Sequence, residues 1–313
     1  MADARRWTHV AERGSLLGLR ITVTCYRLFG RSLSLILVHC IVTYFFLTGK
    51  AARAATRAYQ RRVVEMFGTG TQLGVDPGMW QCFQQFRAFA LAIFDRIVMW
   101  FGDEADFRYD VVGTEHYDRL LRPDRGAIVI GAHIGSFDAL RALSRRDGRT
   151  VNVLMFTRNA PLINSFFQQL SRDSEIRVIQ SDAQSLDTVL RIRACIERGE
   201  LVAMLGDRVE PGDHGRRCRV SLLGGSVELP TAPYILAGLL GCPLFFMVAL
   251  REPEGSYRIS AEVLAETVEF ARGEREKQVR ELAAAYADRL EHYCATRPYQ
   301  WFNFFDYWEE RAR

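Results

Sequence analysis

The clearest chemical signal in this chain is a histidine with an aspartate five residues after it. Residues 127–140 read Ala-Ile-Val-Ile-Gly-Ala-His-Ile-Gly-Ser-Phe-Asp-Ala-Leu. The apolar run closed by glycine predicts a buried strand that ends at Ile130. Gly131 and Gly135 bracket His133, and Ser136 is placed to cap a helix whose first turn holds Asp138. His133 then stands at the C-terminal edge of a strand, where open α/β sheets keep their ligands. A carboxylate on one ring nitrogen fixes the tautomer and leaves the other nitrogen to accept a proton. His133 is thus the candidate general base and Asp138 its candidate orienting carboxylate. Either residue alone has an ordinary explanation, since acids favour the first helical turn for dipole reasons. No serine or cysteine sits in a G-x-S-x-G elbow, which favours a base acting on a substrate hydroxyl over a covalent intermediate.

These residues need a sheet to hold them, and the rest of the chain supplies the pattern. Short apolar runs predict strands at 109–112, 127–130, 151–156, 176–179, 201–205, 219–222, 243–250 and 257–263. Helical periodicity falls between them, at 136–146, 160–171, 185–198, 231–240 and 274–296. Alternation of this kind predicts an α/β body with a central mixed sheet flanked by helices. Upstream, residues 51–66 read as a basic helix. Residues 79–101 read as a helix with aromatic residues at near-helical spacing, either a buried face or the wall of a lipid-facing groove.

The chain has 313 residues, 49% hydrophobic and 25% charged, which is ordinary for a globular protein and excludes a mainly disordered one. Its net charge of +4 is unevenly spread. Residues 1–62 hold eleven Lys or Arg against two acids, or +9, and the remainder carries −5. A basic leader on an acidic body points to an anionic partner surface, either a nucleic acid or a membrane. Between Arg31 and Lys50 lie 18 residues without a charge. As a helix they rise about 27 Å, the short end of a bilayer span. A nucleic-acid arm carries no such block, so no nucleic-acid partner is expected. Basic residues flank the block almost equally, which denies it the asymmetry of a simple span. A segment set into one leaflet, or a hairpin with residues 15–29, places both flanks on one anionic face. The chain accordingly divides into membrane-associated helices at 1–66 and an α/β body at 67–313, with a helical lead-in to about residue 105. Seven cysteines without a CxxC pair or metal-ligand spacing predict reduced thiols and no metal site.

The His-x₄-Asp motif after a buried strand resembles the signature of the glycerolipid acyltransferase superfamily, and its surroundings resemble the lipid A lauroyl/myristoyl acyltransferase branch. The resemblance runs in order over most of the chain. It includes the small, basic and apolar N-terminus ending in Tyr-Gln-Arg-Arg and the central GAHIGSFDAL. It continues through GDRVEPG and LLGGSVELPTAPYILAGLLGCPLF to the terminal RPYQWFNFFDYW. It implies transfer of an acyl chain from an acyl carrier protein or coenzyme A thioester to a hydroxyl of lipid A or a related glycolipid. The resemblance also implies that no cofactor is involved and that the catalytic body stands on the cytoplasmic face of the inner membrane. His133 would be the base and Asp138 its partner. Arg158, Asp207, Arg208, Gly225 and Thr231 would lie on the substrate-binding side, with the two arginines as phosphate contacts. Oxyanion stabilisation would come from N–H groups of the 131–135 loop or a nearby arginine. The motif ends in Asp where lipid A enzymes more often have Glu, and Glu228-Leu229-Pro230-Thr231 departs from the glycerophosphate branch. A lysophospholipid or aminolipid acceptor therefore stays open. So does a catalytically silent lipid-binding relative, although an intact His133/Asp138 pair speaks against it. The aromatic terminus reads as packing on the body or as an interfacial belt.

Overall fold

The computed structural model describes residues 16–101, 107–122, 124–139, 147–155, 177–180, 186–209, 216–253 and 255–308. Arg158 and the expected helix at 160–171 lie outside them. The N-terminal part is helical: α1 (Leu16–Thr48), α2 (Lys50–Phe67) and α3 (Met79–Phe101). The body follows as β1 (Tyr109–Val112), α4 (Thr114–Leu120), β2 (Ala127–Gly131), β3 (Val151–Met155), β4 (Arg177–Gln180), α5 (Leu186–Glu197) and β5 (Leu201–Leu205). It ends with β6 (Arg217–Leu222), β7 (Gly225–Pro230), α6 (Ala232–Leu240), β8 (Leu244–Arg251), β9 (Tyr257–Ala265) and α7 (Arg275–Thr296).

Seven strands form one mixed sheet in the order β1-β9-β8-β2-β5-β3-β4. Every neighbouring pair is parallel except β8 with β9. β2 is buried along its whole length, as a central strand covered on both faces must be. Side chains alternate between those faces. Ile128 and Ile130 join Val202, Phe246 and the α7 residues Ala283, Tyr286 and Leu290 on one side. Ala127 and Val129 join Phe245, Met247 and the α3 residues Phe94 and Val98 on the other. β6 and β7 form a separate hairpin closed by Leu223 and Gly224, both at positive φ. Its second strand, which begins at a glycine and ends at a proline, was absent from the sequence pattern.

α1 is two helices that meet at a kink at Gly30 (φ 70°). One face packs on the body, with Val38 and Val42 buried and Phe46 edge-on to Phe83 and Phe86 of α3. A buried ionic cluster fixes it further. Asp95 of α3 is fully buried and takes Arg31 of α1 at 3.1 Å, Arg251 of β8 at 2.6 Å and the Tyr257 hydroxyl of β9 at 2.8 Å. On the opposite side Phe29, Leu33, Ile36, Tyr44 and Leu47 are each more than half exposed. Leu33, Ile36, Tyr44 and Leu47, at intervals of three and eight residues after the break at Gly30, make one apolar stripe along the helix. The segment Arg20–Thr48 is long and apolar enough to cross a membrane, with a mean hydropathy of 1.6. The aromatic residues of α3 divide in the same way: Phe86 and Phe94 are buried, Trp80 and Phe89 exposed.

Candidate active site

β2 and β5 are parallel neighbours in register, with Gly131 opposite Leu205. The Gly206 amide extends the ladder by donating to the Gly131 carbonyl at 3.0 Å. A side chain at 206 is excluded, since a Cβ there would stand 2.5 Å from Ile130 Cγ2. The residues leaving the two strands therefore emerge side by side, and these are His133 and Asp207. His133 Nδ1 donates to Asp207 Oδ1 at 2.8 Å, and the His133 amide donates to Oδ2 at 3.0 Å. The indole Nε1 of Trp301 donates to the same Oδ2 at 3.2 Å.

The electrostatics suit a base. Burial pushes Asp207 upward, but the charge and hydrogen bonds of His133 and the charge of Arg208 outweigh it, so the carboxyl lies below its ordinary range and is ionised. Burial lowers His133 from its ordinary 6.5, and the charge of Arg208 lowers it further against the opposite pull of Asp207. A neutral imidazole with its proton on Nδ1 leaves the Nε2 lone pair free to take a proton. The side chain is 33% exposed, so a substrate can reach it.

The loop around His133 is pinned from two directions. Gly135 adopts φ 65°, and a Cβ on it would lie 2.0 Å from the Ala249 carbonyl oxygen. Its amide donates to the Gln300 carbonyl at 2.9 Å, the Ser136 amide donates to Ala249 at 2.8 Å, and the Phe302 amide donates to the His133 carbonyl at 2.7 Å. Ser136 caps the next turn through its hydroxyl, which accepts from the Ala139 amide at 3.3 Å. The terminal aromatic segment thus forms one wall of the loop.

Asp138 occupies the first turn of that helix, and its carboxylate is paired with Arg96 Nε of α3. The carboxylate on His133 Nδ1 is Asp207, in the position the sequence reading gave to Asp138. The reason is topological: β5 lies beside β2, and the residue leaving it fills the place next to the ring. Arg208 is also at the site. It donates to the Phe302 carbonyl at 2.8 Å, and its guanidinium lies 5.1 Å from the Phe305 ring centre. Gly225 and Thr231 have other surroundings. Gly225 starts β7, where a Cβ would meet Trp308 Cδ1 at 2.3 Å. Thr231 precedes α6, and its amide donates to Arg216 at 2.8 Å. Arg96, Trp301 and Tyr307, whose hydroxyl donates to the Asp207 carbonyl, were not among the expected site residues. Only the terminal aromatic block gave a signal for the last two.

The sequence matches the family model of bacterial lipid A biosynthesis acyltransferase over residues 42–310. The chain belongs to this family. It is an acyltransferase, with an acyl donor and a lipid acceptor as its substrates. No curated protein matches the chain. The family match begins within α1 and runs past Trp308, so it takes in both the His133 loop and the aromatic segment that walls it.

Proposed function

We propose that this acyltransferase moves a fatty acyl chain from an acyl carrier protein or coenzyme A thioester to a hydroxyl of lipid A or a related glycolipid, with His133 as general base. The observation that carries this reading is the His133–Asp207 pair, with Nδ1 engaged and the side chain one third exposed. Nε2 takes the hydroxyl proton as the acceptor oxygen attacks the thioester carbonyl. The tetrahedral intermediate collapses, the C–S bond breaks, and the thiolate takes the proton back from the imidazolium. The products are an ester and a free thiol. General-base help of this kind contributes roughly 10²–10⁴-fold.

The oxyanion needs donors. The amides of His133, Gly135 and Ser136 already donate to Asp207, Gln300 and Ala249. This favours the arginines over the loop amides, and the charges of Arg208 and Arg96 both reach His133. In this reading Asp138 positions Arg96, while Asp207 orients the base. The exposed stripe of α1 supports a monotopic attachment, set into the cytoplasmic leaflet of the inner membrane with basic residues at the headgroups. Lipid extracts from cells carrying the parent protein or His133→Ala, compared by mass spectrometry, identify the acceptor. The parent is expected to yield a glycolipid one acyl mass heavier than in the variant. Identical lipid profiles would overturn the assignment.

A further inference from the structure

A cleft of about 270 Å³ opens between α3, the β8–β9 turn and the C-terminal segment. Its lining includes Gln84, Arg87, Arg251, Glu252, Arg297 and Phe302. Its charge is one-sided. Glu252 is shared by Arg297, at 2.9 and 3.0 Å, and Arg258, at 3.0 Å. Asp95 is shared by Arg31 and Arg251. Arg87 has no carboxylate among the described residues. Its Nε donates at 3.1 Å to Nε2 of His39, whose Nδ1 donates to the Leu35 carbonyl at 2.6 Å. A histidine that accepts at one nitrogen and donates at the other is neutral. The charged lining of the cleft is thus Arg87, Arg251 and Arg297 against Glu252, with Asp95 outside the lining. The two terminal nitrogens of Arg87 have no partner among the described residues. A half-enclosed positive cleft with an open guanidinium fork selects a phosphate, whose oxygens match that fork.

The position of the cleft suggests the source of the phosphate. Its wall residue Phe302 donates to the His133 carbonyl, and Gln300 accepts from Gly135. The cleft and the candidate base therefore share one short segment, 300–302. His39, which holds Arg87, belongs to the helix that carries the exposed apolar stripe. We propose that this cleft holds a phosphate group of the lipid acceptor's headgroup, gripped by the terminal nitrogens of Arg87 with Arg297 beside it. The proposal rests on the reading of a membrane lipid as acceptor. It gives His39, in the apolar stretch of α1, a role: the ring positions the phosphate-binding arginine.

The test is calorimetric titration of the full chain in non-ionic detergent, with dihexanoyl phosphatidic acid, inorganic phosphate and dihexanoylglycerol, each below its micellar concentration. The phosphatidic acid is expected to bind at least tenfold more tightly than either of the others. Arg87→Gln is expected to weaken it tenfold or more, and Arg87→Lys by less. Gln84→Glu adds a negative charge while leaving every arginine in place. It is expected to weaken binding as well, and it serves if Arg87→Gln does not fold. Unchanged affinity in a folded Arg87→Gln or in Gln84→Glu would overturn the proposal. Equal binding of inorganic phosphate would show a free-anion site and overturn the headgroup assignment, and equal binding of dihexanoylglycerol would show apolar binding alone. No acyl transfer is read, so failure here is separate from failure of the catalytic reading.

Discussion

Trp301 reaches across 94 positions of sequence to donate its indole N–H to Oδ2 of Asp207, the oxygen that also receives the His133 amide. The indole is fully buried and stands edge-on to Tyr59, Tyr307 and Trp308. The aromatic terminus therefore packs on the body and also fixes a carboxylate.

Trp301→Phe keeps the aromatic packing and removes this donor. A hydrogen bond to a charged group contributes about 1.5–3 kcal/mol, and chemical unfolding should show a loss of that order. Asp207 loses a donor that spreads its charge, so it attracts a proton on His133 more strongly. The acidic limb of the kcat/KM profile should move to higher pH. An unmoved limb would mean that the indole packs without tuning the pair.

His133 lies below its ordinary 6.5, chiefly through burial. A base in this state is active below the usual histidine range, and the acidic limb of kcat/KM should fall under pH 6.5. The same shift acts on stability. The unfolded chain takes up the proton first, so this contribution is complete above about pH 6.5 and is lost as pH falls through the folded value. Asp207, also lowered, adds stability that is present above the ordinary carboxylate range and is lost in stronger acid. Unfolding measured from pH 8 to 5 in the parent and in His133→Ala checks the sign. The parent should lose more stability on acidification than the variant.

Asp95 ties α1 to α3, β8 and β9 through two arginines and a tyrosine. Asp95→Ala leaves buried cations without their counter-charge, and breaking a buried pair in this way costs about 3–5 kcal/mol. A thermal melt should drop sharply, and α1 should become accessible to protease. A melt within a degree or two of the parent would show that apolar packing alone holds α1.

Leu33 and Ile36 lie on the exposed stripe, and each is more than half exposed. Leu33→Glu with Ile36→Glu should leave the fold intact and shift the protein from the carbonate-resistant membrane pellet toward the soluble fraction. Deleting residues 1–50 is a poorer test, because it also removes the buried Val38 and Val42. Full retention of the double variant in the pellet would place the attachment elsewhere.

Most of this fold was legible in the sequence because a sheet covered on both faces reads as short apolar runs. Residues 127–130 and 201–205 stood out for that reason, and both are central strands. The hairpin strand Gly225–Pro230 did not, since glycine and proline mask an alternating pattern. At the site, the Gly-bracketed loop and the Ser136 cap are local features and were readable. The partner of His133 was not, because only strand order shows that β5 lies against β2. The family resemblance puts Asp207 only on the substrate-binding side, and nothing local ranks it above Asp138. Arg96 gave no signal, being one arginine in a helix read for its aromatic residues.

The central claim is that Asp207 holds the tautomer in which His133 acts as a base. Steady-state acyl transfer by Asp207→Asn, with an acyl carrier protein thioester and saturating acceptor, tests it most directly. An asparagine keeps the shape and removes the charge, and kcat should fall about 10²–10⁴-fold with little change in KM. A kcat within a factor of two of the parent would contradict the assignment.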